Sequence, residues 1–510
     1  MRISLLFLCI GSACALNPIV IKGSKFFDSV TKKQFFIKGI AYQPRGGHHP
    51  DNTSPDPLAD PAACARDAPL MAKLKTNVIR VYEIDPKRDH DECMKIFADA
   101  GIYLLLDIAT PHFSINRKSP EYDVRLYNAY KATVDAFLKY NNILAFIAGN
   151  EVTNDKSSTL ASAYVKAALR DTKSYLKEKK KNIPVGYASN DDEYIRDPIK
   201  DYFNCGDEES QVDFYGLNLY EWCGASSYEA SGYKARTEEL MQYNKPVFLS
   251  EYGCNIVTPR KFSEVGALYG PEMTEVWSGG VVYEWTQENN RYGLVKIDSN
   301  GEAEILADYT NLLGEMEDIN PKGVHMDSFK ESKELSTCPP NGANWKASAT
   351  LPPTPSDGAC ECMVQNMQCV ASDKVSLVTG PAGNSTLGDQ LDIMCGMVKC
   401  DDISGNPEKG VYGMFSYCTP RDKLSWLYNL KASEKRAGNT CDFSGYGQEI
   451  SPKRTDLASC ANIKPNTEIG DYSDDKSNTI NQSSGVVSHK LMSGTFSATV
   501  IFVLAAILFV

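Results

Sequence analysis

Positive charge is in short supply. Fifty-three lysines and arginines face 65 aspartates and glutamates, a net charge of -12. That balance argues against nucleic acid as a partner and against a polybasic membrane-binding surface. Histidines number 6, and no cysteine pair stands at metal-ligand spacing with them, so no metal centre and no cofactor are expected. The glycine-rich loop of a doubly wound nucleotide-binding sheet is also missing, because Gly46-Gly47-His48 does not have its spacing. Long apolar runs occur only at the two ends.

The first run, Met1 to Ile10, carries one early positive charge and leads to Ala13-Cys14-Ala15, the pattern of a secretory signal peptide over residues 1–15. The second, Phe496 to Val510, is short for a membrane span. A polar spacer precedes it, and before that stand the small residues Ser483-Ser484-Gly485. This is the layout of a glycosylphosphatidylinositol (GPI) signal over 486–510, removed on attachment at Ser483 or Ser484. A secreted chain on the outer face of the plasma membrane follows, with a possible destination in the cell wall. Sequons at Asn52, Asn384 and Asn481 are compatible with glycosylation in that compartment.

Cysteine is not scarce. Cys9 and Cys14 leave with the signal, and the remaining 14 are even in number, so disulfides are expected. Six lie between Cys64 and Cys338 and eight between Cys360 and Cys460. This uneven spread divides the chain. Residues 16–335 form one domain, 336–358 a proline-rich linker expected to be extended and exposed, and 359–462 a small disulfide-rich, mainly helical α+β domain. Residues 463–485 are polar and read as a solvated tether. With more than 500 residues, a large domain plus a smaller one is the expected partition.

After a hairpin around Ile19–Asp28, the first domain alternates strand and helix patterns. Apolar, β-branched runs fall at 35–41, 77–81, 103–106, 143–148, 183–187, 214–219, 247–249 and 280–282. Helical stretches, such as 123–140 and 158–180, lie between most of them. Eight such repeats predict a (β/α)8 TIM barrel, whose functional residues gather at the carboxyl ends of the strands. Those ends read Tyr42-Gln43, Arg80-Val81-Tyr82, Asp107, Asn150-Glu151, Asn218-Leu219-Tyr220, Glu251-Tyr252 and Tyr283-Glu284-Trp285. Amides and carboxylates bond sugar hydroxyls, and rings stack on the apolar faces of pyranoses.

Two of these ends deliver a glutamate from a buried strand, where a carboxylate is costly unless it has a task. Retaining glycosyl transfer uses two carboxyls about 5–5.5 Å apart. Glu251, after the seventh barrel strand, is the expected nucleophile, and Glu151, after the fourth, the expected acid/base. Asn150 is placed to bond a sugar 2-hydroxyl, and Tyr220 or Tyr283 to donate a hydrogen bond to Glu251.

The strings Lys38-Gly-Ile-Ala-Tyr-Gln43, Asn77-Val-Ile-Arg-Val-Tyr82, Leu105-Leu-Asp107, Gly149-Asn-Glu-Val152, Asn218-Leu-Tyr-Glu-Trp222, Leu249-Ser-Glu-Tyr-Gly253 and Val282-Tyr-Glu-Trp285 carry a resemblance. Together they resemble the fungal β-1,3-glucanosyltransferases of glycoside hydrolase family 72, the Gas/Gel/Phr group. The cysteine-rich part resembles the family 43 carbohydrate-binding module. The resemblance implies an enzyme that cleaves a β-1,3-glucan internally and passes the new reducing end to the non-reducing end of another glucan. It also implies Gln43, Tyr82, Asp107, Asn150, Tyr220 and Tyr283 as substrate or support residues. The disulfides it implies are Cys64–Cys93, Cys205–Cys338 and Cys223–Cys254. Donor and acceptor glucan are the expected partners of a monomer. An endo-β-1,3-glucanase and a non-catalytic wall-binding protein are the alternatives.

Overall fold

The computed structural model describes residues 16–43, 56–111, 113–331, 335–376, 386–434 and 440–463. The signal peptide, Asn52, Asn384, Asn481, Ser483, Ser484 and the segment 486–510 lie outside these residues, as does nearly all of the tether.

Strands β1 (Ile19–Lys22) and β2 (Lys25–Asp28) pair antiparallel as the expected hairpin. Phe26 of the hairpin packs with Phe214 and Phe248 of the barrel. The next eight strands close a parallel barrel in sequence order. They are β3 (Ile37–Ala41), β4 (Val78–Val81), β5 (Tyr103–Asp107) and β6 (Ile143–Asn150), then β7 (Val185–Asn190), β8 (Tyr215–Asn218), β9 (Val247–Tyr252) and β10 (Trp277–Val282). Closure between β10 and β3 depends on Gly279 (φ +92°), where a Cβ would stand 2.1 Å from the Ile37 carbonyl oxygen.

Helices α1 (Pro61–Lys73), α2 (Asp91–Asp99), α3 (Val124–Phe137) and α4 (Ala161–Glu178) cover the first half of the barrel. Then come α5 (Arg196–Asn204), α6 (Tyr233–Leu240), α7 (Glu264–Leu268), α8 (Pro271–Thr274) and α9 (Ala307–Asp318). Their starts are written in the sequence. Asp60 caps α1, with Pro61 at the first helical position, and Asp123 accepts from the amides of Arg125 and Leu126 at α3.

The cysteine-rich domain holds helices α10 (Asp357–Gln365), α11 (Thr386–Cys395) and α12 (Pro420–Ser433) with short two-stranded ribbons. Its disulfides are Cys360–Cys418, Cys362–Cys460, Cys369–Cys441 and Cys395–Cys400. The barrel's are Cys64–Cys93, Cys205–Cys338 and Cys223–Cys254, the pairings the resemblance implied.

The expectation of an extended, exposed linker is corrected. Trp345, Ala347 and Ser356 are buried, and the Trp345 ring packs on Tyr202 of α5 at 5.0 Å. Tyr202 donates to the Ser348 carbonyl, and Thr354 donates to Asp171 of α4 at 2.7 Å. The segment therefore straps the second domain to the barrel. The docking continues beyond it: Val124 N–H donates to the Tyr417 carbonyl, Asn128 to Asp357, and Lys423 pairs with Glu121. Proline favours extended backbone without deciding whether that backbone is solvated. Burial of Trp345 decided it here.

Candidate active site

All of the predicted strand-end residues lie at one end of the barrel, as parallel strands require. The centre of the arrangement is Arg80 on β4, fully buried within the barrel. Its Nε and Nη2 donate to the two oxygens of Asp107 at 3.1 and 2.9 Å. Nη2 also donates to Asn150 Oδ1 at 2.9 Å, and Nη1 donates to the Ser250 carbonyl at 3.0 Å and to Glu251 Oε1 at 3.3 Å. Burial works against the charge, but Asp107, Tyr82 and Glu251 outweigh it and hold the guanidinium protonated. Burial also pushes the Asp107 carboxyl up, against the pull of Arg80.

Glu251 receives two phenols besides the arginine. Tyr82 donates to Oε1 and Tyr220 to Oε2, both at 2.9 Å. Burial first, then the Glu251 charge, raises Tyr220 well above its ordinary range. For Tyr82 the same two effects win over the Arg80 charge, so both phenols stay protonated donors. Of the two tyrosines expected to donate to Glu251, Tyr220 does so. Tyr283 stands edge-on to Tyr82 and Tyr220 with centroids 6.4 Å away, and Tyr82 also donates to Glu251.

Glu151 has a different environment. Its backbone lies in the left-handed region, φ +49°, which costs a non-glycine residue of order 1–3 kcal/mol. Arg117 secures that turn by donating to the Glu151 carbonyl at 2.7 Å, and Glu151 N–H donates to the Ala188 carbonyl. The carboxyl accepts one amide, Asn218 Nδ2 to Oε1 at 2.9 Å. Burial raises its pKa, the Glu251 charge adds to the rise, and the Asn218 hydrogen bond opposes it. The two glutamates flank Asn218, whose backbone pairs with Glu251 and whose side chain reaches Glu151.

Gln43 braces the site. Its Oε1 accepts from the amides of Tyr82 and Glu83 at 3.1 and 3.0 Å, fixing the end of β4. Asn150 Oδ1 accepts from Arg80 and Asn218. The disulfide Cys223–Cys254 ties the loops after β8 and β9, next to Tyr220 and Glu251.

Sequence reasoning gave no role to Arg80, Asn218, Tyr292 or Arg260. Tyr292 joins the ring cluster, 5.2 Å from Tyr283 and 5.8 Å from Tyr220. Arg260, 2% exposed, donates to the Gly253, Tyr283 and Tyr292 carbonyls and pairs with Asp308 at 2.6 Å, stapling the loops after β9 and β10. Arg80 and Asn218 stood in the strand-end series without a role. For Tyr292 and Arg260, in loops without periodicity, no sequence signal was available.

Among the described residues no helix is long and apolar enough to cross a membrane, and no three His, Cys, Asp or Glu groups are clustered to hold a metal ion.

The family model of glycoside hydrolase 72, described as a glucanosyltransferase, matches residues 9–320, and that of the X8 domain matches 367–448. The 1,3-beta-glucanosyltransferase of Arthroderma benhamiae is 45% identical over 477 residues, covering 88% of this chain and 86% of that protein. The 1,3-beta-glucanosyltransferase GAS2 of Saccharomyces cerevisiae is 44% identical over 422 residues, covering 80% and 75%. The solved structure of Saccharomyces cerevisiae Gas2p in complex with laminaripentaose superposes with a TM-score of 0.79 at 41% identity, covering 87% of this chain and 99% of that one.

Proposed function

This chain belongs to the glucanosyltransferases of glycoside hydrolase family 72, and on that premise we propose how its residues act on β-1,3-glucan. It is a β-1,3-glucanosyltransferase that elongates cell-wall glucan. The observation that carries the assignment of roles is the contrast between the two glutamates flanking Asn218. Glu251 takes three donors and is the nucleophile, while Glu151, pushed up by burial, is the acid/base.

In the first half-reaction Glu251 forms a bond to the anomeric carbon while Glu151 gives its proton to the departing glycosidic oxygen. The Glu251 charge is then consumed in the ester, which removes one cause of the Glu151 rise and lets Glu151 act as base. The hydroxyl at the non-reducing end of a second glucan loses its proton to Glu151 and displaces Glu251. Tyr82, Tyr220 and Arg80 meet the nucleophile's charge as it returns. Asn150 presents its Nδ2 toward the sugar 2-hydroxyl, Tyr283 offers its ring, and Gln43 and Asp107 support Tyr82 and Arg80.

Residues 16–335 are assigned to catalysis, and the X8 module within 359–462 to glucan binding. GPI anchoring at Ser483 or Ser484, residence at the outer plasma membrane or wall, and a monomeric state complete the reading. The terminal sequence patterns support the anchor.

Product analysis on a reduced β-1,3-glucan oligomer of about ten units tests the reading. Products longer than the starting oligomer are expected, with retained β configuration by NMR, and Glu151→Gln and Glu251→Gln each abolish them. Shorter products alone would make the protein a hydrolase. Glucan binding without products would overturn the roles of both glutamates.

A further inference from the structure

We propose that Asn218, anchored by Ser250, is a positioning residue that dictates which oxygen of Glu151 carries the catalytic proton. The inference rests on the reading of Glu151 as acid/base. It follows from donor and acceptor logic alone. An arginine can only donate, so the Asn150 atom facing Arg80 Nη2 at 2.9 Å must be the carbonyl oxygen. That same oxygen faces Asn218 at 3.1 Å, so the Asn218 atom must be Nδ2. Its Oδ1 then points the other way, where it accepts from Ser250 Oγ at 2.7 Å. Both Nδ2 hydrogens are thereby assigned, one to Asn150 Oδ1 and one to Glu151 Oε1 at 2.9 Å.

The amide cannot turn over without setting its Oδ1 against Asn150 Oδ1, an acceptor fixed in place by Arg80. Asn218 and Ser250 are 4% and 0% exposed, so water does not relieve the mismatch. Space for Ser250 is made by Gly216, where a Cβ would stand 2.7 Å from both Ser250 Cβ and Oγ.

A carboxylic acid carries its proton on one oxygen. Because Glu151 Oε1 faces a fixed donor, the proton resides on Oε2. In the first half-reaction the anomeric C–O bond breaks, its electron pair goes to the leaving oxygen, and that oxygen takes the proton from Oε2 as Glu251 bonds to the anomeric carbon. In the second, Oε2 recovers a proton from the acceptor hydroxyl as that oxygen displaces Glu251. Oε1 stays bonded to Asn218 throughout, and its hydrogen bond stabilises the carboxylate that forms midway.

The test compares two donors with the full-length protein. One is an unactivated β-1,3-glucan oligosaccharide, whose departing hydroxyl needs a proton. The other is a 2,4-dinitrophenyl β-laminarioligoside, whose leaving group needs none. Asn218→Ala should lower the first rate about tenfold to hundredfold, part of what general acid catalysis supplies, and the second less than about threefold. The alkaline limb of the pH profile should move to higher pH, since the Asn218 hydrogen bond now holds Glu151 down. Ser250→Ala removes only the anchor and should show the same selectivity at smaller size, which keeps the test open if Asn218→Ala fails to fold. Equal losses on both donors, or no loss on either, would overturn the proposal. Glu151→Ala with azide provides the separate control. A β-glycosyl azide product upholds Glu151 as acid/base whatever Asn218 does, and its absence would sink the parent reading instead.

Discussion

Arg80 and Asp107 face each other inside the barrel as a two-pronged ion pair at 3.1 and 2.9 Å, and the arginine's remaining reach goes to Asn150 and Glu251. One side chain on β4 thus orients residues at the ends of β5, β6 and β9. A lysine has the charge without the planar fork. Arg80→Lys should fold and lose about a hundredfold in kcat. Arg80→Ala leaves Asp107 buried without its partner and should cost about 3–5 kcal/mol of unfolding stability, read by chemical denaturation. Full activity in Arg80→Lys would show that charge alone suffices.

The two phenols on Glu251 are separable. Hydrogen bonds to a charged group contribute about 1.5–3 kcal/mol. Tyr82→Phe and Tyr220→Phe should therefore each lower unfolding stability by up to that amount, read by chemical denaturation, and lower kcat by roughly tenfold to hundredfold, read by steady-state kinetics. Because both donate to one carboxylate, the double variant should lose less or more than the product of the singles, and a double-mutant cycle reads the coupling.

Glu151 titrates higher in the folded protein than its ordinary 4.5. Between that value and the raised one the folded state binds more protons than the unfolded chain. The stability this contributes is complete below 4.5 and is lost as pH rises through the raised value. Glu151→Gln, which cannot ionise, should gain thermal stability over the parent at about pH 8 and not at about pH 4. An equal effect at both would contradict the raised pKa. In Glu251→Gln the neighbouring charge is gone, and the Glu151 carboxyl signal in a carbon-13 NMR titration should move to lower pH.

The strapped linker makes a thermodynamic claim. Trp345 is buried against Tyr202, and Val124 of the barrel packs into the core of the cysteine-rich domain. The two domains should unfold together, in one calorimetric transition. Trp345→Ala should cost about 3–5 kcal/mol and separate the transitions. Two transitions in the parent protein would refute the docking.

Much of this site was legible before any coordinates. Parallel strands put their carboxyl ends on one face, so an acid closing an apolar run, as at Glu151 or Glu251, announces its own location. The fourth and seventh barrel strands read short, since Asn150 and Tyr252 are polar or aromatic and ended the apolar runs early, while the runs at 35–41, 77–81 and 214–219 overreach their strands.

What the sequence determined by itself was order and period: the alternation that closes a barrel, the two glutamates on its fourth and seventh strands, and the cysteine spacing that divides the chain. What the tertiary structure decided was pairing at a distance. Tyr82 joins Tyr220 in donating to Glu251, Arg80 reaches across to three other strands, and Asn218 stands between the glutamates with its amide direction set by Arg80 through Asn150. Periodicity assigns a side chain to a face. Hydrogen bonds form only where donors and acceptors from distant strands meet within about 3 Å, and barrel register sets those meetings.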